Sequence, residues 1–206
     1  MNKNFVIIMM GFTGTGKSTT AKYLSQHLPA AIFHSATTRK ELNFTFSKGE
    51  AKDDFFDLSN EKRKEMDRQV YIKNAQYCVS ALGQGKDVIL DSGHFFFWQR
   101  KLIYQQTESL HPEIFILRTT CDESVIKKRF IQRAKDFDKD VFSETPSFKA
   151  YESCKLATEY PDGIDQLPSG DKPVIIEFDT ERHKAILIQG VTSKIVETII
   201  QLLENW

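Results

Sequence analysis

The feature that most constrains this chain is an apolar run that leads directly into a glycine-rich segment. The run is Phe5–Met10, and the segment after it reads Gly11-Phe12-Thr13-Gly14-Thr15-Gly16-Lys17-Ser18. It matches the pattern G-x-x-x-x-G-K-[ST], in which glycine lets backbone N–H groups approach a phosphate that a Cβ would block. A strand before the segment and a helix after it are the surroundings that such a phosphate-binding loop (P-loop, or Walker A motif) requires.

Each part of this loop has an expected partner on a bound nucleotide. Lys17 is placed to reach the β- and γ-phosphates, and the Ser18 hydroxyl is placed to ligate Mg²⁺. The helix that starts here directs the positive end of its dipole at the anion. Further phosphate contacts are expected from Gly11, Thr13, Gly14, Thr15, Gly16 and Thr19. The alternative is a chance match in a glycine turn, which the flanking strand and helix disfavour.

The charge balance excludes some classes of partner. The 206 residues include 28 basic and 28 acidic side chains, so the formal net charge is zero. A neutral chain has no overall field that would attract nucleic acid or an anionic membrane. A polyanionic ligand must therefore be captured locally. The length predicts a single domain spanning 1–206.

Two further features bear on the cellular setting. The apolar run near the N-terminus has six residues, Phe5–Met10, which is too short for a membrane span or a signal peptide. Cys78, Cys121 and Cys154 are odd in number and lack the spacing of metal ligands. We therefore expect reduced thiols, no zinc site and a cytoplasmic location.

Short β-rich runs alternate with longer amphipathic segments. The runs predict strands at 5–10, 30–34, 87–91, 113–117 and 174–178, and the segments predict helices at about 16–28, 60–82, 94–110, 122–137, 145–159 and 192–204. This alternation indicates an α/β fold of the P-loop NTPase type, with a doubly wound five-stranded parallel sheet. Ligands are expected at the carboxyl ends of the strands. Two polar stretches, 43–57 and 138–147, are candidate flexible loops over the site.

Beyond the P-loop, the order of motifs resembles that of P-loop kinases of the polynucleotide-kinase and zeta-toxin-like (AAA-type ATP-binding small kinase) family. The matching segments are His34–Leu42, Val88–Asp91, Arg100, Cys121–Arg133 and Ser143–Glu152. They follow the family's order over roughly residues 5–180. The resemblance implies a nucleotide-kinase-like fold with a mobile helical lid around 122–147, and ATP and Mg²⁺ as cofactors.

The end of the second strand departs from this family. The family pattern is Ser-Asp-x-x-Arg, in which the Asp accepts the proton of the attacking hydroxyl; here the segment is Ser35-Ala36-Thr37-Thr38-Arg39. The resemblance implies that Arg39 binds the acceptor, whereas Ala36 replaces the expected base. Phosphoryl transfer needs positioning and charge neutralisation more than early deprotonation, so this loss need not abolish turnover.

Asp91 is the best remaining carboxylate, because it ends an apolar strand beside the P-loop strand. There it can hold Mg²⁺ or contact the attacking hydroxyl, and it can also serve as a helix N-cap. His94 and Arg100 follow and are candidate substrate-binding residues. A lone histidine near a helix start is more often structural.

Arg129 and Arg133 lie four residues apart, on one face of a predicted helix. In the related kinases this helix belongs to the lid, and its arginines close over the phosphates in flight. Both are therefore candidate catalytic residues. Without the resemblance, a solvated basic face paired with acidic neighbours would be the preferred interpretation.

Two further segments carry open interpretations. Phe95-Phe96-Phe97-Trp98 would cover every face of a helix, and core packing accounts for two of the four rings. A further ring can form a stacking surface for a base. Asp179-Thr180 closes the last strand, where related kinases surround the adenine, and a plain turn is an equal alternative.

These observations predict a kinase that moves the γ-phosphate of Mg-ATP to a hydroxyl. The acceptor is a nucleotide-like molecule, a nucleic-acid 5′-end or a small metabolite. The alternative, motivated by Ala36 and the aromatic cluster, is a catalytically reduced nucleotide-binding switch or toxin-like regulator that acts through a protein partner. Simple ATP hydrolysis coupled to a conformational cycle is a third, less favoured possibility.

Overall fold

The computed structural model describes residues 3–44, 61–136 and 148–206. The candidate loop at 138–147, and that at 43–57 apart from Asn43 and Phe44, lie outside these residues.

A single six-stranded sheet organises the described residues. Its strands are β1 (Phe5–Met10), β2 (Ala30–His34), β3 (Asp87–Asp91), β4 (Glu113–Thr120), β5 (Val174–Asp179) and β6 (Lys184–Gln189). Their order is β2-β3-β1-β4-β5-β6, and the first five are parallel. The α/β fold with a doubly wound, parallel-dominated sheet is therefore confirmed.

The sixth strand corrects the predicted strand count. β6 runs antiparallel to β5, to which a tight turn joins it. Only Ala185 and Leu187 pack toward the core, while Ile186 and Ile188 are exposed at 43% and 40%. The sequence of this edge strand has four consecutive apolar residues, so its hydrophobicity does not alternate. It also follows β5 without a helical spacer, and the pattern of alternating strands and helices therefore did not predict it.

Seven α-helices are present in the described ranges. They are α1 (Lys17–His27), α2 (Ser35–Glu41), α3 (Glu61–Gly83), α4 (Phe97–Thr107, continued by a 3₁₀ turn at Glu108–Leu110), α5 (Glu123–Asp136), α6 (Phe148–Ala157) and α7 (Lys194–Glu204). The short helix α2 was not predicted. Within the same ranges, no helix is both long enough and apolar enough to span a bilayer.

The start of α4 differs from the predicted helix at 94–110. His94 has a φ of 43°, in the left-handed region, so it cannot continue a right-handed helix. The helix begins three residues later, at Phe97, where Gln99 accepts a hydrogen bond from the Phe96 N–H. His94, Phe95 and Phe96 therefore form a connection at the carboxyl end of β3.

β1 lies at the centre of the sheet, and all six of its residues are buried. Successive side chains of a strand point to opposite faces. Ile7 and Met9 accordingly pack with α1 and α7, whereas Val6 and Ile8 pack with α3 and α4. Each such side chain contributes roughly 1.5–3 kcal/mol of burial free energy, which anchors the strand that carries the P-loop.

Candidate functional site

The P-loop lies between the carboxyl end of β1 and the start of α1. Gly14 and Gly16 have φ values of 91° and 89°, a left-handed conformation that glycine adopts without strain. A Cβ at Gly14 would lie 3.1 Å from Ile126 Cγ2, and one at Gly16 would lie 3.2 Å from the Thr180 side chain. Both the backbone conformation and the close neighbours therefore require glycine here.

Neighbouring strand ends hold this loop in place. The Thr15 and Thr119 hydroxyls are 2.8 Å apart and hydrogen bonded, and the Thr180 hydroxyl donates to the Thr15 carbonyl at 2.7 Å. Asp179, beside Thr180, accepts the N–H groups of Glu181 and Arg182 and so closes the β5–β6 turn. The Asp179-Thr180 pair thus forms a turn and also supports the P-loop.

Asp91 brings three elements together at the phosphate end of the site. Its Oδ1 lies 3.3 Å from Lys17 Nζ, and its Oδ2 lies 2.7 Å from His34 Nδ1. The Asp91 side chain is only 3% exposed. Lys17 and Asp91, two of the predicted site residues, therefore contact each other, and His34 contacts the same carboxylate.

The charge of Asp91 follows from these partners. Burial by itself raises the pKa of this carboxyl, but the Lys17 ammonium and hydrogen bonds from His34 and Ser18 outweigh it. The net effect lowers the pKa well below the ordinary value for aspartate. Asp91 is therefore a carboxylate at neutral pH, and a weak base.

The oxygens of Ser18 and Asp91 suit Mg²⁺, which prefers hard oxygen ligands and takes only one or two from the protein. Ser18 also contributes to the lowered pKa of Asp91, which indicates that the two side chains lie near each other. Ser18 is exposed at the start of α1, where phosphates would approach. Ser18 and Asp91 are the residues that would hold the ion.

Arg129, one of the two arginines expected on a lid helix, lies against the P-loop. Arg129 of α5 donates from a terminal guanidinium nitrogen to the Gly14 carbonyl at 2.6 Å. Ile126 and Phe130 of the same helix pack with Tyr151 of α6, which fixes α5 near the loop. The side chain of Arg133 lies outside the described residues.

A cleft of about 660 Å³ opens beside the P-loop, between α2, α3 and the start of α4. Its basic and acidic wall comes from α2 and the N-terminal half of α3, and its aromatic wall from the β3–α4 connection. The lining includes Thr13, Lys17, Ser35, Arg39, Arg63, Lys64, Glu65, Arg68, Tyr71, Phe95, Phe96 and Trp98. Among the residues that the structure describes, five cations and three carboxylates line it, so this part of the cleft is locally basic in a chain of zero net charge.

The family's base position lies at the edge of this cleft. Ala36 occupies the first turn of α2, between the cleft-lining Ser35 and Arg39. Arg39 is half-buried and lines the cleft, as expected of an acceptor-binding residue. The acidic residue of α2, Glu41, accepts a hydrogen bond from the Tyr77 hydroxyl. No carboxylate of α2 therefore takes the place of the one that is missing at Ala36.

The four consecutive aromatic residues do not share a helix, contrary to expectation. Phe95 lies before α4 and stacks on Phe12 of the P-loop, with ring centroids 5.2 Å apart. Trp98 lies in the first turn of α4, contacts Tyr71 edge-to-face, and is 40% exposed toward the cleft. Phe95 and Trp98, together with Phe96, therefore form part of the cleft wall beside the loop.

His94 and Arg100 are buried and do not line the cleft, which corrects their expected role in substrate binding. Arg100 is fully buried and forms two hydrogen bonds to Asp165 and one to the His94 carbonyl. His94 Nδ1 lies 2.9 Å from the Met9 carbonyl. Desolvation lowers the pKa of His94 to about 4, so it is neutral. Both residues instead fix the connection between β3 and α4.

Sequence reasoning missed His34 as a member of the site. The residue lies at the end of β2, where a parallel neighbour, β3, ends in Asp91. A signal was available, since the carboxyl ends of adjacent parallel strands meet at one edge of a sheet. This signal identifies His34 only when the strand order is known, because the sequence does not show that β2 and β3 are adjacent.

Comparisons with known proteins agree with this architecture. A family model described as an AAA domain matches residues 6–151. No curated protein matches the chain at a significant level.

Several solved structures share the fold at low sequence identity. Kti12 of Chaetomium thermophilum, in complex with ADP-AlF3, is similar with a TM-score of 0.66 and 15% identity, covering 97% of this chain and 96% of that one. APS kinase CysC of Mycobacterium tuberculosis, in complex with AMPPNP and APS, has a TM-score of 0.54 and 13% identity, covering 99% of each chain. A gluconokinase of Sinorhizobium meliloti has a TM-score of 0.54 and 12% identity, covering 100% of this chain and 94% of that one.

Proposed function

The chain belongs to the AAA-domain family whose model covers residues 6–151, and on this premise we propose that it is an ATP-dependent phosphotransferase. The γ-phosphate of ATP would pass to a hydroxyl of an acceptor bound in the cleft beside the P-loop. The observation that carries this proposal is the arrangement of Lys17, which lies on the floor of that cleft and 3.3 Å from Asp91. Lys17 therefore belongs both to the proposed nucleotide site and to the proposed acceptor cleft.

The donor end has the groups that phosphoryl transfer needs. Lys17 and the P-loop N–H groups would bind the phosphates, and Ser18 and Asp91 would hold Mg²⁺. An Mg²⁺ ion held there would supply positive charge to stabilise the negative charge that develops during transfer. Two of the similar structures bind nucleotides or their analogues, Kti12 with ADP-AlF3 and APS kinase with AMPPNP.

The lid would supply the remaining positive charge. Arg129 already lies at the P-loop, where its donation to the Gly14 carbonyl would be exchanged for a phosphate oxygen. We propose that α5 and the segment up to residue 147 close over the bound nucleotide, with Arg133 as a second candidate cation. The whole chain would act as one kinase-like domain.

Transfer itself would not depend on a strong base. The acceptor oxygen would form a bond to the γ-phosphorus as the bond to the β–γ bridging oxygen breaks, and ADP would leave. Because the pKa of Asp91 is low, this carboxylate suits orienting the hydroxyl better than removing its proton. The proton would pass to water, since the transition state is loose and deprotonation can be late.

The cleft lining favours an acceptor that carries both a ring and a negative charge. Arg39, Arg63 and Arg68 can bind a phosphate or carboxylate, and the exposed edge of Trp98 offers an aromatic surface. A nucleotide or a nucleic-acid 5′-end has both groups. This preference, together with Arg39, also supports the finer relationship to polynucleotide kinases and zeta toxins.

Ala36 supports the second candidate function, a nucleotide-binding switch with reduced catalysis that acts through a protein partner. The α2 segment places alanine where the family has its base. In that case nucleotide would bind but no acceptor would be phosphorylated.

One experiment separates the two functions. The protein is mixed with γ-labelled Mg-ATP and a panel of nucleosides, nucleotides, 5′-hydroxyl oligonucleotides and sugars, and label transfer is followed. Label on an acceptor, lost in Lys17→Ala and kept in the α1 surface variant Lys22→Ala, supports the kinase. Tight ATP binding that needs Lys17, with no labelled acceptor, supports the switch.

A further inference from the structure

The carboxylate of Asp91 is held at both of its oxygens. Lys17 Nζ lies 3.3 Å from Oδ1, and His34 Nδ1 lies 2.7 Å from Oδ2. We infer that His34 is a positioning residue of the phosphate site, which keeps Asp91 hydrogen bonded when Lys17 moves to nucleotide phosphates. This inference rests on the proposed nucleotide site, although it does not require that the phosphate be transferred.

The sheet fixes His34 opposite its partner. His34 and Asp91 are paired residues of the parallel strands β2 and β3, each at the end of its strand. The backbone of His34 also contacts α2, where the Thr38 hydroxyl oxygen lies 3.3 Å from the His34 carbonyl oxygen. Thr38 is itself fixed by a 2.6 Å bond to Asn74 of α3. The imidazole therefore meets the carboxylate through elements that do not depend on the P-loop.

The direction of this hydrogen bond follows from the ionisation of Asp91. Its carboxylate can only accept, so His34 Nδ1 carries the hydrogen and donates it. The imidazole is 40% exposed, whereas the Asp91 side chain is 3% exposed. His34 thus lies at the rim of the site, beside the cleft-lining Ser35, and holds a carboxylate that is inside it.

Lys17 has two competing partners. Its ammonium pairs with Asp91 at 3.3 Å, but the P-loop lysine must reach the β- and γ-phosphates when a nucleotide binds. Leaving would deprive a buried carboxylate of its cation, which is costly unless other donors remain. His34 is a donor that remains, 2.7 Å from Oδ2. His34 therefore lowers the cost of releasing Lys17.

This role predicts a particular pattern of binding defects. Without the His34 donor, the nucleotide-bound state suffers more than the free state, because only in the bound state has Asp91 also lost Lys17. Nucleotide binding in EDTA should therefore weaken, on the order of tenfold for the loss of a hydrogen bond to a charged group. Added Mg²⁺ would give Asp91 a new cation, so the defect should be smaller in its presence.

The test compares His34→Leu, which removes the donor, with His34→Asn, whose amide can donate from a similar position. Affinity for a non-hydrolysable ATP analogue is measured by calorimetry in EDTA and in Mg²⁺. We expect His34→Leu to lose about tenfold in EDTA and clearly less in Mg²⁺, and His34→Asn to retain most of the wild-type affinity. His27→Leu, at an exposed histidine in α1, is the matched control.

A double-mutant cycle keeps the inference testable if His34→Leu is less stable. In an Asp91→Asn background the His34→Leu substitution should change affinity by less than twofold, because the carboxylate is gone. Equal losses with and without Mg²⁺, a His34→Asn protein as weak as His34→Leu, or an unchanged effect in the Asp91→Asn background would overturn the inference. Failure of phosphate transfer alone would contradict only the kinase proposal, and binding insensitive to Lys17→Ala would contradict the nucleotide site itself.

Discussion

The ammonium of Lys17 lies 3.3 Å from Asp91 Oδ1, so the P-loop lysine is paired with a buried carboxylate. Nucleotide binding must replace this ion pair by contacts to phosphate. The same carboxylate would then be available to Mg²⁺ or to an acceptor hydroxyl. Asp91 thus links the two ends of the proposed site.

Substituting Asp91 by asparagine should separate turnover from nucleotide binding. The Asp91→Asn protein is expected to lose roughly a hundredfold or more in kcat, because an amide cannot neutralise a metal ion. Its affinity for ATP in EDTA should stay the same or rise, since Lys17 is released and a negative charge near the phosphates is removed. Steady-state kinetics and calorimetry measure the two effects. If kcat is unchanged in this variant, Asp91 has only a structural role.

Removing the lid guanidinium should slow transfer more than it weakens binding. For Arg129→Ala we expect a kcat reduced by about a thousandfold, the scale of an arginine that stabilises a phosphoryl group in flight. The KM for ATP should change much less. Lys128→Ala, at an exposed neighbour in α5, provides the control. Equal activity of the two variants would exclude Arg129 from the catalytic site.

Restoring the family's carboxylate tests whether its absence limits the rate. Ala36→Asp places an acid in the first turn of α2, where it also interacts favourably with the helix dipole. Because the proposed transfer does not depend on a strong base, we expect little change in the rate of transfer to a labelled acceptor, whereas an acceleration of about a hundredfold would show that a general base is missing. Thr37→Asp, at the exposed next position, controls for added charge. No acceleration would show that the site works without a base at this position.

Arg100 should act on stability and not on nucleotide binding. Its fully buried guanidinium pairs with Asp165, which also accepts the Tyr104 hydroxyl. Arg100→Leu leaves a buried carboxylate without its cation and is expected to cost about 3–5 kcal/mol of unfolding free energy. ATP affinity of the folded fraction should stay within about twofold of wild type. Urea denaturation measures the loss, and Arg182→Ala, at an exposed ion pair, should leave the urea midpoint nearly unchanged.

The buried histidine predicts a pH dependence of stability. The pKa of His94 is lowered to about 4 in the folded protein, against an ordinary value of 6.5. The unfolded chain therefore binds this proton more readily, and stability is present above pH 6.5 and lost as the pH falls toward 4. The full loss is about 3 kcal/mol.

Urea midpoints at pH 7 and pH 5 provide the measurement. The fall between these two values should be smaller in His94→Asn, which keeps a donor for the Met9 carbonyl but has no proton to gain. A fall of the same size in both proteins would assign the pH dependence to other groups. Asp91 contributes only at more acidic pH, because its folded pKa lies below the ordinary value for aspartate.

Most of the fold was predictable because its signals are local. The apolar runs of β1 to β5 and the amphipathic helices between them determine a parallel sheet, and the glycine pattern before Lys17 determines the loop at its carboxyl edge. β6 and α2 were missed because one is an edge strand whose hydrophobicity does not alternate and the other spans only seven residues. Local patterns of that length carry too little periodicity to identify an element.

The sequence by itself determined that a P-loop follows the central strand and that Lys17, Ser18 and Asp91 are available at strand ends. Only the tertiary structure decided which side chains share the site. It placed His34 against Asp91 through the adjacency of β2 and β3, and it withdrew His94 and Arg100 into the interior through a left-handed turn and a buried ion pair. Motifs are patterns of residues that are close in sequence, so the sequence shows them directly. Contacts between side chains depend on strand order and on the positions of turns, and both of these depend on residues that are distant in sequence.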